Sequence, residues 1–178
     1  MKTNQSRKLN LIVVMIIGAM SVIGFGCRSH LTNHTYYPLS VDYARTFSDM
    51  VKAGQYDYIN TYITEKNFPI ERPDNIKSVN HIQVALVCLN KMINTDAVLL
   101  HIFESNMRPA RIEELLAFGE KYPKIQQDVA IFSLYSSDFL RYIKTVPFLY
   151  RDVSGRTLEV GFFESDWNEY NCFLSVVR

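Results

Sequence analysis

The first 27 residues constrain this chain more than any other stretch, because they leave the fold and choose the compartment in which the rest must fold. Lys2, Arg7 and Lys8 make a positive end, no acidic residue occurs before Asp42, and Leu11 to Phe25 is an uncharged apolar run broken only by Ser21. A charged head, a short apolar middle and a small-residue exit are the parts of an export signal. At ~1.5 Å per helical residue the run reaches about 22 Å, short of the ~30 Å hydrocarbon core, which favours a cleaved leader over a permanent span.

The exit reads Ile23-Gly24-Phe25-Gly26-Cys27. It resembles the lipobox of bacterial lipoproteins, in which the cysteine is acylated and becomes the new N-terminus. Gly26 and Cys27 match that pattern; Gly24 and Phe25 stand where the family has Leu and a small residue. The resemblance implies a palmitate-type anchor on Cys27 and a chain held by membrane lipid in the cell envelope, facing the periplasm. Arg28 in place of Asp implies the outer rather than the inner membrane. Ordinary cleavage after Gly26, a small-x-small site, and an uncleaved anchor are the alternatives.

Of the 178 residues, removal of the first 26 leaves 152, enough for one well-cored domain. Loss of Lys2, Arg7 and Lys8 takes the basic count from 19 to 16 against 18 acidic, a net charge near −2. A nucleic-acid binder would need a basic stripe, so no nucleic-acid partner is expected. With Cys27 acylated, Cys88 and Cys172 remain, either a disulfide in an oxidising compartment or two buried thiols. The organisation expected is therefore a signal at 1–26, a lipidated cysteine and polar tether at 27–39, and a single domain at 40–178.

Within that domain the apolar spacing predicts helices first. Val41, Ala44, Phe47, Met50 and Val51 fall on one helical face, then Tyr56, Ile59, Tyr62 and Ile63, so Ser40 to Lys66 reads as a helical hairpin turned at Gly54. Its wording, Met50-Val51-Lys52-Ala53-Gly54-Gln55-Tyr56-Asp57, resembles the opening helices of NTF2-like domains. Residues from Ser78 to Ile93 favour a helix over a central strand, and Ala97 to Phe103 fits either. Pro109 opens a helix over Ile112, Leu115, Leu116 and Phe118, with Glu113, Glu114 and Glu120 pointing outwards. Asp138 to Lys144 reads as a short helix. Phe148 to Tyr150, a turn at Val153-Ser154-Gly155-Arg156, Thr157 to Phe163 and Tyr170 to Val177 then read as sheet. The fold class expected is α+β, an N-terminal helical hairpin and further helices followed by a three-stranded antiparallel meander.

Chemistry is sparse. No phosphate loop, nucleophile elbow, His-Glu-x-x-His or Cys-x-x-Cys occurs, so neither a catalytic site nor a cofactor is expected. His30 and His34 could clasp a metal only on a helix that nothing in the tether favours, and Cys88 with His101 is a chance-level nucleophile pair. No metal site is expected. The stretch Glu164-Ser165-Asp166-Trp167-Asn168-Glu169-Tyr170 holds the only Trp in an acidic loop. Asp166, Trp167, Glu169 and Tyr170 are the candidate partner-binding residues, Trp167 being either a recognition anchor or cover for the core. The function expected is a non-catalytic envelope lipoprotein that binds a protein, as an assembly component or as immunity against a periplasmic toxin. The alternative is a small NTF2-like ligand-binding or enzymatic periplasmic domain.

Overall fold

The computed structural model describes residues 33–72 and 78–178. The signal and Cys27 lie outside the described residues. In chain order the elements are β1 (Asn33–Asp42), α1 (Phe47–Ala53), β2 (Tyr58–Ile59), β3 (Val79–Cys88), β4 (Ile93–Asn94), α2 (Thr95–Glu104), β5 (Met107–Pro109) and α3 (Ile112–Lys121). A short 3₁₀ turn (Ile125–Gln127) leads to β6 (Ala130–Phe132), β7 (Asp138–Leu140), β8 (Ile143–Asp152), β9 (Gly155–Phe162), β10 (Asp166–Trp167) and β11 (Asn171–Val177).

The expected helices-then-meander architecture is overturned. One mixed sheet of nine strands organises the domain, in the order β1-β3-β11-β6-β8-β9-β2, with β5 added on β11 and β7 on β8. The strand pair β10-β4 stands apart as a small ribbon. Strands β8 and β9 do form a hairpin, but β11 does not continue it as a third strand. It lies between β3, antiparallel, and β6, parallel.

The corrections at the front of the chain share one cause. Tyr37, Leu39, Val41 and Tyr43 alternate at period two, and the last three are buried to within 2%. The same residues, read from Val41 onward, also satisfy a helical spacing with Phe47 and Met50, which belong to a real but short α1. The helical hairpin, and the tether from Asn33 onward, are therefore displaced by β1, an edge strand that tolerates Pro38 because its partner β3 lies on one side only; the rest of the tether lies outside the described residues. Strand β3 replaces the helix expected from Ser78. Val84, Leu86, Ala85 and Val87 are all buried, the double-faced burial of a central strand, which erases the alternation that would have announced it.

Opposite faces of the sheet carry separate cores. Leu39, Val41, Val84, Leu86, Leu149 and Leu174 pack with Phe47 and Met50 of α1 and with Ile112, Leu115, Leu116 and Phe118 of α3. On the other face Ala85, Val87, Val146 and Phe173 pack with Val98 and Ile102 of α2 and with Trp167. At roughly 1.5–3 kcal/mol for each large apolar side chain removed from water, these two layers supply the main stabilisation. Cys88 and Cys172 sit directly opposite each other in the β3–β11 register and are joined by a disulfide.

Candidate protein-binding surface

Strand β8 begins immediately after a two-residue connection. Leu140 pairs with Ile143, which leaves Arg141 and Tyr142 alone in the turn from β7. Their φ angles are +49° and +73°, both left-handed. A turn of this kind favours Asn-Gly, and each residue with a Cβ pays roughly 1–2 kcal/mol to adopt it. The tip is nevertheless aromatic and exposed: Tyr142 is 98% exposed, Phe139 65%, Ile143 51%, and Phe162 on the adjoining β9 58%.

The base of the hairpin is fixed. The Tyr62 hydroxyl donates to Asp138 Oδ2 at 2.6 Å, and the Thr145 hydroxyl donates to the Asp138 carbonyl at 3.0 Å. The hydrogen bond to Asp138 holds the Tyr62 phenol above its ordinary pKa. Lys144 places Nζ 3.6 Å from the centre of the Phe163 ring. A depression lined by Phe139, Tyr142, Ile143, Lys144 and Glu164 joins the hairpin to the loop after β9. Glu164 is shared with a second, open groove in which Asp96 and Asp166 bring two further carboxylates beside Thr95 and Phe163. An exposed aromatic knob therefore adjoins a negative groove.

Of the residues expected to bind a partner, Asp166 lies in that groove, whereas Glu169 and Tyr170 are exposed outside its lining. Trp167 is corrected to the second of its two readings. It is 3% exposed, its indole N–H donates to Thr95 Oγ1 at 3.0 Å, and its ring packs 4.6 Å from Phe132 and 5.3 Å from Phe173. Pairing of Trp167 with Ile93 in the β10–β4 ribbon turns the indole onto the α2 face of the sheet. Sequence reasoning missed the hairpin, reading Asp138 to Lys144 as helix. The β-branched Ile143, Thr145 and Val146 were the signal available, since such residues suit a pleated strand.

A second group of polar residues gathers at the start of α3. Glu113 and Glu114 are wholly buried rather than solvated. Glu114 accepts from both terminal nitrogens of Arg108, at 2.9 and 2.5 Å, from the Arg111 N–H at 2.8 Å and from the Tyr43 hydroxyl at 3.4 Å. Glu113 has no hydrogen-bond partner for either carboxylate oxygen among the described residues. Burial, with the Glu114 charge adding to it, pushes its pKa up to about 7. It can exchange a proton near neutrality, but none of the described pockets is lined by it, so it receives no catalytic role.

The disulfide removes Cys88 as a nucleophile for His101. Among the described residues no three or more His, Cys, Asp or Glu side chains gather as a metal site, and no helix is long and apolar enough to cross a membrane. Comparison with protein-family models, with curated proteins and with solved structures gave no significant match to this chain.

Proposed function

We propose that this chain is a non-catalytic cell-envelope lipoprotein, anchored through lipid on Cys27, whose folded domain binds a protein through the β7–β8 hairpin and the acidic groove beside it. The observation that carries the reading is the Arg141–Tyr142 turn. Backbone strain retained at an exposed position, where a cheaper turn sequence exists, points to a use for the side chains it displays. Tyr142 and Phe139 offer large area at small entropic cost, the property of interface anchors. The carboxylates of Asp96, Glu164 and Asp166 favour a partner that presents basic groups around an apolar hollow. An assembly component or a secreted toxin held in check by this domain both satisfy that description.

The test is crosslinking of the lipidated full chain in its own envelope, followed by identification of the captured protein. One dominant partner at near equal amount, lost with Tyr142→Ala but kept with Tyr170→Ala, supports the reading. An empty capture, or capture indifferent to Tyr142, would sink it and favour the ligand-binding alternative.

A further inference from the structure

His34 of β1 and His101 in the last turn of α2 come from segments 67 residues apart, yet their Nε2 atoms lie 2.9 Å from each other. His34 stands opposite Val87 in the β1–β3 register, on the sheet face that α2 covers. His101 is carried there by Val98 and Ile102, both fully buried in the same core. Each ring is half-buried. One Nε2–H donates to the other ring's Nε2, and neither histidine has any other described side-chain hydrogen bond.

We propose that His34 and His101 are the two protein ligands of a binding site for a divalent metal ion of the zinc and copper(II) class, with water completing the coordination.

Such ions bind the lone pair of neutral imidazole, and a pair of converging histidines chelates them. Metal–nitrogen bonds of ~2.0–2.1 Å at a near-tetrahedral angle place the two nitrogens about 3.3–3.4 Å apart and the ring centres about 5.2 Å apart. The ring centres here are already 5.1 Å apart. A tilt of each ring by roughly 20° opens the nitrogens to the required span, given those bond lengths. The Nε2–H between the rings occupies the place the metal would take; the donor ring stays neutral by shifting to its Nδ1–H tautomer, which turns both Nε2 lone pairs toward the ion with no net proton released.

The supports of the two rings are stiff. Cys88, the neighbour in sequence of Val87, is tied to β11 by the disulfide, so the end of the sheet that holds His34 has little freedom to spread. Burial lowers the pKa of both imidazoles. Around His101 the charges oppose each other, Glu104 favouring a bound cation and Lys91 resisting it. With only two protein ligands the site retains open positions, the arrangement of exchangeable rather than structural metal.

The experiment uses the full chain carrying His30→Gln and His81→Gln, so that His34 and His101 are its only histidines. Zinc and copper(II) salts are titrated in by calorimetry, and the copper(II) form is examined by electron paramagnetic resonance. One ion per chain, hyperfine coupling to two nitrogens, and an affinity at least tenfold weaker after either His34→Gln or His101→Gln are expected. Thermal unfolding of the metal-free variants checks that they remain folded. Binding no tighter than that of the same chain carrying both His34→Gln and His101→Gln, or coupling to a single nitrogen, would show that the pair is a hydrogen bond and nothing more.

Discussion

Strand β8 leaves one turn at Arg141–Tyr142 and enters another at Val153–Ser154. At the second turn Asp152, Ser154 and Gly155 carry the chemistry a turn needs. Asp152 Oδ1 accepts from the Ser154 N–H at 2.7 Å, and Gly155 adopts φ +115°, a conformation open to glycine. Asp57 then closes against the glycine, accepting from the Arg156 N–H at 2.8 Å. At the first turn no glycine is present and two left-handed residues carry long side chains into solvent. One end of the strand is built for folding, and the other keeps a left-handed backbone beneath exposed side chains.

Substitution separates the two ends. Gly155→Ala has the largest effect on stability, because its Cβ would lie 2.2 Å from Asp57 Oδ2 on a backbone that L-residues avoid. A loss of about 2–3 kcal/mol is expected in urea unfolding. A loss below about 1 kcal/mol would mean that this turn does not depend on its glycine. The opposite end should respond with the opposite sign. Arg141→Asn combined with Tyr142→Gly is expected to stabilise the domain by about 1–2 kcal/mol while abolishing partner capture. Unchanged stability would remove the strain from the argument. Tyr142→Ala keeps the backbone problem and deletes only the display, so unfolding should move by less than about 0.5 kcal/mol. Capture should nevertheless fall tenfold or more. Glu164→Gln is the mildest change, neutral for folding and expected to weaken capture at low salt but not at high salt, where its charge is screened.

The same contrast explains what could be read before the structure. The Val153-Ser154-Gly155-Arg156 turn and its flanking strands were legible because a glycine punctuates β-branched and aromatic runs. The Arg141–Tyr142 turn was illegible for the reason it is interesting, since it lacks every residue that marks a turn. Helix α3 was visible from Ile112, Leu115, Leu116 and Phe118, but the burial of Glu113 and Glu114 was not. The burial of Glu114 depends on Arg108 and Tyr43, which only the assembled sheet brings near. Strand β3 hid behind its own hydrophobicity, being apolar toward both faces. Even the acidic loop was half legible, with Asp166 placed at the surface and its neighbour Trp167 recruited inward by Thr95.

The position of β11 bears on when this domain can exist at all. It follows every other described strand in the chain, yet it sits in the middle of the sheet, hydrogen-bonded to β3 on one side and to β5 and β6 on the other. Nothing N-terminal to it can complete the sheet in its absence, so a chain emerging residue by residue stays open until some 170 residues are out. Cys88 and Cys172 meet only when β11 docks beside β3, so the oxidation that joins them also records that the sheet has closed.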